Sequence, residues 1–400
     1  MTAPLEGLLV ADFSRVLAGP FATMYLADLG ATVVKVERPG SGDDTRAWGP
    51  PWTEHTSSYF ESVNRSKLGL TLDLADPADQ AMACELARRA DILVENFRPG
   101  TLDRMGLGYE QVRDGDPATG RPGNRGIVYA SITGYGSGAG ASIPGYDFVV
   151  QAVGGLMSIT GEPDAPAQKV GVALVDVLTG KDAVIGILAG IAARARSGEG
   201  VRVEVDLLSS LLGALVNQAS GYLATGTPPQ RMGNRHPSIA PYETLACADG
   251  QLAVACGNDG QFRRLAAAVG VAHLADDAAY ATNSARVAHR DALASALEGR
   301  LRTQPVAHWD GVLRAVGVPA GPVGDIGSAF ALARDLGLEP TYAAHPGHVA
   351  QVRNPVRLSG HDPGPGMPPP RLGEHDAVVR GWLSGGDPSL ARLALDLTEC

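Results

Sequence analysis

The chain is poor in cysteine and lysine. Its four cysteines, Cys84, Cys247, Cys256 and Cys400, form no Cys-x-x-Cys pair and no spacing that suits a metal. That usage argues against a disulfide framework and predicts a reducing compartment. Of 33 basic residues only Lys35, Lys67, Lys169 and Lys181 are lysine, so an isolated arginine says little about binding. A formal charge of −10 argues against a general nucleic-acid binder, because phosphate contacts need a basic surface. It leaves room for a local basic pocket. The longest apolar run, Ala183 to Ala193, is too short to span a bilayer. The N-terminal segment lacks a basic leader, and Glu6 and Asp12 break its apolar run, so it does not read as a signal peptide. The expectation is a soluble, cytoplasmic protein with no membrane partner. At 400 residues, 44% of them apolar, the chain can bury a sizeable core in two domains. Glycine (51) and proline (28) make it loop-rich yet short of disorder.

The first half alternates strand and helix. Leu8 to Ala11 reads as a buried strand, and Gly19-Pro20 opens a helix that stops at Gly30. Thr32 to Val36 is the next strand, which makes a βαβ unit with a right-handed crossover. A helix from Pro77 to Ala90, strands at 91–95 and 127–130, and a long helix from Asp176 to Arg196 continue the pattern. Val201, Val203 and Val205 alternate with charged residues as in a half-solvated strand, and a helix follows to Leu223. Residues 1–225 therefore form a doubly wound α/β domain. After a Gly226 to Pro229 linker, an Asp249-Gly250 turn joins two strands. Helices near 261–269, 284–302 and 305–316 complete a smaller α+β domain over 226–330. Pro- and Gly-rich stretches mark residues 331–400 as a return to the first domain.

Familiar motifs are absent. Gly134 to Gly140 follows a strand, but its glycine spacing is wrong for a dinucleotide fingerprint, so it reads as an active-site loop. Gly180-Lys181 is followed by Asp182, which excludes a phosphate-binding P-loop, and Ser137 lacks a nucleophile-elbow frame. His345 and His348 sit in a Pro/Gly turn that reads as surface rather than metal site. Asp176 stands out, between two apolar triplets where a long apolar helix starts. One reading is an N-cap. The other is a nucleophile, a poorly solvated carboxylate kept ionised by the helix N-terminus and able to attack a thioester, with Gly154, Gly155 and Gly180 leaving room for an acyl group.

Several stretches, taken in order, carry a specific likeness. They include Pro4-Leu-Glu-Gly7, Ala18-Gly-Pro20, Leu29-Gly-Ala31, Lys35-Val-Glu-Arg38 and Gly40-Ser-Gly-Asp43. Val94-Glu-Asn-Phe-Arg-Pro-Gly100, Leu102-Asp-Arg-Met-Gly106, Gly134-Tyr135 and Val172-Ala-Leu-Val-Asp176 follow, then Gly317-Val-Pro-Ala-Gly-Pro322 and Leu372-Gly-Glu-His375. Through them the chain resembles the class III CoA-transferases along essentially its whole length. The resemblance implies a Rossmann-like large domain, an interlaced homodimer of two ring-like chains, and Asp176 as the acyl-accepting nucleophile. It implies no tightly bound cofactor and no metal, with coenzyme A as a substrate. Arg38 and Arg104 would then bind its phosphates, Asn96, Phe97 and Arg98 would line its adenine and pantetheine path, and Leu72 with the backbone after it would cover the adenine.

Departures from formyl-CoA transferase count against formyl-CoA/oxalate specificity. Leu17 replaces a glutamine, Ala75 replaces a lysine, and the Gly-rich flap is the shorter Gly257-Asn258-Asp259-Gly260. The stretches 234–242 and 257–262 look more like the branch that uses succinyl-CoA or similar donors with dicarboxylate acceptors, where Arg235 and His236 would meet a distal carboxylate. The implied chemistry passes through an aspartyl anhydride and an aspartyl-CoA thioester, with backbone N–H groups of the 134–140 and 257–260 glycines facing each oxyanion. An α-methylacyl-CoA racemase is the rival in this fold. That branch carries His-Asp where this chain has Tyr146-Asp147, and a tyrosine with a pKa of about 10 suits proton shuttling poorly. A non-catalytic acyl-CoA-binding protein would keep the arginines without needing Asp176.

Overall fold

The structure, a computed structural model, describes residues 3–361, 364 and 366–385. The chain divides into two compact units. The first comprises Met1–Gly154, Val170–Ser220 and Glu339–Cys400, and the second Gly155–Lys169 and Gly221–Leu338. These limits differ from a division at 225 and 330. Residues 155–169 join the second unit because the Gly233 N–H donates to the Gly161 carbonyl (3.0 Å) and Arg231 to that of Glu162 (3.2 Å). Residues 331–338 join it as the end of the helix Ile326–Asp335 and its C-terminal turn.

The first unit is built on six strands, β1 (Leu9–Asp12), β2 (Thr32–Glu37), β3 (Lys67–Thr71), β4 (Ile92–Glu95), β5 (Val128–Thr133) and β6 (Val201–Asp206). They lie in the order β3-β2-β1-β4-β5-β6, and every neighbouring pair is parallel. This is the Rossmann order. The central strands are near-continuous apolar runs because both faces of a parallel sheet are covered. β6, at the edge, alternates valine with charge. Its helices include α1 (Ala18–Asp28), α2 (Ser58–Glu61), α3 (Pro77–Arg89), α4 (Tyr109–Asp114), α5 (Asp147–Val153), α6 (Leu174–Ser197) and α7 (Leu207–Ala214).

One core layer sets Ala11, Val34, Leu70 and Leu93 against Leu86 of α3, Val112 of α4, and Val379 and Trp382 of the helix Asp376–Leu383. The intervening Val10, Val33, Ile92 and Val128 are buried too, as alternation requires when both faces are covered. α6 packs on β5 and β6 through glycine. A Cβ at Gly190 would lie 2.8 Å from Val201 and 2.9 Å from Val128.

β3 escapes a sequence reading because Lys67 and Gly69 look like loop residues. Lys67 is buried and paired with Asp12 (3.1 Å). Gly69 admits the chain at 370–371, where a Cβ would lie 3.0 Å from the Pro370 side chain and 3.1 Å from the Arg371 carbonyl. Two expected helices are broken. The stretch after β6 divides into α7 and Val216–Thr225, and 284–302 divides at His289.

The second unit has a three-stranded antiparallel sheet of β7 (Tyr242–Ala246), β8 (Gln251–Ala255) and β9 (Ala320–Pro322), with β8 central. The Cys247 N–H donates to the Gly250 carbonyl (2.8 Å) and closes the β7–β8 turn. Leu245, Leu252 and Val254 pack with Phe262, Leu293, Leu297 and Leu313 of the flanking helices. Among the described residues no helix is long and apolar enough to cross a membrane.

Candidate active site

β1 and β4 are neighbours whose chains leave toward opposite edges of the sheet. In open α/β sheets such a switch point leaves a crevice outside the carboxyl ends of the strands. A cavity of about 290 Å³ lies there. Its walls are the turn after β1 (residues 15–18), the loop after β4 (96–99), the loop after β5 (Gly134 to Tyr146), and Asp176. The 134–145 loop closes on itself where two glycine backbones meet. A Cβ at Gly134 would lie 2.6 Å from the Gly145 Cα.

Asp176 sits in the first turn of α6 but does not cap it. The N-cap is Ala173, which offers no side-chain acceptor. Asp147 does the capping. Its Oδ1 accepts the Val175 N–H (2.8 Å) and the Asp176 N–H (3.3 Å), and its Oδ2 accepts Gln151 Nε2 (2.7 Å). The capping reading of Asp176 therefore gives way, and its carboxylate is left unbonded. Among the described residues no donor reaches it. Burial first, and the Asp147 charge second, push its pKa from 3.8 up to about 7. Burial and a like charge thus work against the ionised form that the helix end was expected to favour.

The surroundings are apolar. Leu17, Met24 and Val63 are buried with Val16, Phe21, Tyr25 and Tyr59 packed around them, and Ala173 and Val177, on either side of Asp176, belong to the same cluster. Burial, then the Asp176, Asp147 and Asp43 charges, push the Tyr59 hydroxyl up to about 12, so it stays protonated. Gly180 does not leave room for an acyl group. A Cβ there would lie 2.7 Å from the Ala18 carbonyl, so the glycine serves α1–α6 packing. Gly154 likewise faces Leu211 (2.5 Å).

The loop after β4 has two roles. Asn96 is committed to the neighbouring turn, where its Oδ1 accepts the Arg15 N–H (2.9 Å) and its Nδ2 donates to the Arg15 carbonyl (2.7 Å). It shapes the cavity rather than offering a free amide. Phe97 carries the Arg15 guanidinium over its ring at 5.1 Å. Arg98 is exposed on the cavity wall. Among the described residues the Arg38 guanidinium, after β2, bonds only Ser41 (2.8 Å), and that of Arg104 only Thr101 (3.4 Å). Among the described residues none of Arg38, Arg98 and Arg104 has a carboxylate partner. Exposed, unpaired guanidinium groups near strand ends suit phosphate. The Leu72 side chain belongs to the core, so only the backbone after it is open to a ligand. Tyr146 lines the cavity and is half exposed.

The remaining expected residues belong to the second unit. Arg235 is not free. It bonds Glu243 (3.2 Å) and Asp291 (2.7 Å), which leaves it poorly placed to hold a substrate carboxylate. His236 accepts the Ser238 N–H (3.1 Å) and packs on Tyr242. Gly257 to Gly260 is a helix cap rather than a loose flap. Asn258 caps the helix Asp259–Ala268, the Gly257 N–H donates to Gln261 (2.7 Å), and Asp259 pairs with Arg286 (2.7 Å). The Gly257 amide is thus spent within the cap. His348 is no surface residue either, since its Nδ1 meets the buried Glu61 at 3.1 Å. Among the described residues no group of three or more His, Cys, Asp or Glu could hold a metal.

The family model of CoA-transferase family III matches residues 5–376. The chain belongs to this family. It is 42% identical to the succinate–glutarate CoA-transferase of Agrobacterium fabrum, with 94% of each chain covered. It is 40% identical to the acetyl-CoA:oxalate CoA-transferase of Acetobacter aceti over 94% of this chain and 95% of that one. The crystal structure of a CAIB/BAIF family protein from Brucella suis superposes with a TM-score of 0.83 at 42% identity, covering 96% of this chain and all of that one.

A family III CoA-transferase takes CoA thioesters and carboxylates as substrates. In this transferase, sequence reasoning missed Asp147, Arg15 and Tyr59 as parts of the site. Asp147 was visible only as the companion of Tyr146. Its task depends on a contact 29 residues away, which no local pattern reveals.

Proposed function

We propose that this transferase moves CoA from succinyl-CoA, or a similar acyl-CoA, to a dicarboxylic acid through Asp176. The observation that carries the reading is the Asp176 carboxylate, which faces the switch-point cavity with no hydrogen-bond donor and a pKa of about 7. Such a group is basic and poorly solvated, so its anion is a strong nucleophile once formed. It attacks the donor carbonyl, the C–S bond breaks, and an aspartyl mixed anhydride and CoA thiolate result. The thiolate attacks the aspartyl carbonyl and expels the donor acid, which leaves an aspartyl-CoA thioester. The acceptor carboxylate attacks that thioester and releases CoA thiolate. The thiolate then attacks the acceptor carbonyl, which forms the new acyl-CoA and restores Asp176. One thioester is used and one is made. Arg38 and Arg104 hold the CoA phosphates, and Phe97 and Arg98 line the adenine and pantetheine path.

Succinyl-CoA and glutarate are the first substrates to try, on the strength of the Agrobacterium relative. The acetyl-CoA:oxalate relative makes oxalate the second acceptor. The active form is a homodimer. Its support is exposed apolar side chains on two helices, since neither Val216–Thr225 nor Ile326–Asp335 has a buried residue, and Val216, Leu223, Ile326 and Leu332 are all exposed. The test is chemical trapping. Enzyme incubated with succinyl-CoA and quenched with hydroxylamine should carry a hydroxamate at Asp176 by peptide mass spectrometry. Turnover without any adduct at that position would overturn the covalent route.

A further inference from the structure

The turn before α1 holds an unexpected backbone. Val16 has φ +69°, in the left-handed region that a β-branched residue avoids. Its neighbours Leu17 and Ala18 line the cavity beside Asp176. A strained residue at a site persists only where its surroundings over-determine it. The restraint here is Asp43, which does not line the cavity. The Val16 N–H donates to both Asp43 carboxylate oxygens, at 3.3 and 3.2 Å. Asp43 is only 1% exposed. It is itself held by the Thr45 N–H (3.0 Å), the Thr45 hydroxyl (2.8 Å) and Lys35 Nζ (3.0 Å). Lys35 also donates to the Ser14 carbonyl (3.1 Å), so one buried ion pair grips the turn at two points. Burial alone would raise the Asp43 pKa, but Lys35 and Thr45 together hold it below the ordinary range, so the clamp is ionised.

Resting on the reading of Asp176 as acyl acceptor, we propose that Asp43 is a positioning residue. Through the Val16 amide it holds the left-handed bend that seats Leu17 against Asp176, and so governs acyl transfer rather than coenzyme A binding. A purely structural role would tie Asp43 to fold stability alone and would predict no link to the conformation of Val16.

The test uses the full chain with succinyl-CoA and glutarate. Asp43→Asn keeps one oxygen for the Val16 amide but loses the charge. Lys35→Met with Asp43→Ala removes both partners and leaves no orphan charge, so it keeps the fold if Asp43→Asn does not. In the folded variants kcat should fall about 10- to 100-fold for the double replacement, and less for Asp43→Asn, because small misplacements at a reacting centre are costly. KM for succinyl-CoA should stay within about threefold, as the arginines are untouched. Adding Val16→Gly should recover part of the loss, since glycine adopts this φ without a clamp. A kcat within about twofold of wild type, a KM that rises as much as kcat falls, or no recovery with glycine would each overturn the proposal. Asp176→Asn is run alongside. If it retains exchange, the reading of the site fails. If it is inactive while the Asp43 variants match wild type, only the positioning role fails.

Discussion

Asp43 is wholly buried and Asp176 partly so at the same end of one sheet, and they behave oppositely. Every oxygen of Asp43 is bonded, and so are those of Asp12, which meets Lys67 at 3.1 Å. Both are lowered in pKa against the pull of burial. Asp176 has no donor among the described residues and is raised. Burial by itself is therefore no mark of function. What separates the two sites is whether the structure compensates the charge it has buried. The arginines divide in the same way. Arg65 makes a two-pronged pair with Asp28 at 2.9 and 2.6 Å, whereas Arg38, Arg98 and Arg104 stand exposed without a carboxylate among the described residues.

The sharpest way to break the comparison is to neutralise one aspartate of each kind. Asp176→Asn should lower CoA exchange by about a thousandfold or more, since an amide cannot accept the acyl group. It should also raise the melting temperature at pH 8. The sign follows from linkage. A carboxyl whose folded pKa is about 7 against an ordinary 3.8 is protonated more readily in the folded state, so ionising it costs stability increasingly from pH 4 to 7 and fully above. The gain from asparagine should fade toward pH 4. Asp12→Asn should do the reverse at pH 8 and destabilise the fold by about 1–3 kcal/mol, because buried Lys67 loses its counter-charge and keeps only neutral acceptors, the Pro20 carbonyl and the Asn64 side chain. Thermal melts at the two pH values check both. Equal destabilisation by the two substitutions would erase the distinction.

The arginines allow a second, smaller contrast. Arg38→Ala and Arg104→Ala should each raise KM for the acyl-CoA about tenfold, the worth of a charge-assisted phosphate contact, and leave the melting temperature alone. Arg65→Ala should leave KM alone and destabilise the fold by about 3–5 kcal/mol. Steady-state kinetics and melts on the same preparations decide it. A KM unchanged in both surface variants would remove phosphate binding from this face.

The sheet was largely legible in sequence because its central strands are buried on both sides and need continuous apolar runs. Pattern alone marked Asp176 only as a carboxylate at a helix start, and its reading as a nucleophile came from the family resemblance. β3 was hidden, since the reasons for its lysine and glycine lie in Asp12 and the chain at 370–371. The clamp on Val16 was hidden for the same reason. Asp43 stood inside a recognisable stretch, but its bonds to residues 16 and 35 exist only once β1 and β2 are paired. Gly257 to Gly260 misled in the opposite direction, because two glycines around Asn-Asp look loose until Asn258 is seen to start a helix. Composition also cannot show that Arg235 is already paired with Glu243 and Asp291.

The finest probe of the comparison concerns the charge beneath Asp176. If Asp176 is the acyl acceptor, only its ionised form attacks, and kcat/KM for the donor should rise with pH through about 7 and level off above it. Burial is the larger cause of the raised value and Asp147 the smaller. Asp147→Asn keeps an oxygen for the Val175 and Asp176 amides, so the start of α6 should hold, and it removes the like charge. The pKa of Asp176 should then fall, and the rising limb should move to lower pH while staying above the ordinary carboxyl range. The plateau rate should drop only modestly, since a less basic carboxylate is a somewhat weaker nucleophile. Measured pH profiles of the two enzymes check the direction. A limb that stays in place would mean that Asp147 acts only as a cap, and a limb that moves upward would mean that its charge does not reach Asp176 in the way the geometry requires.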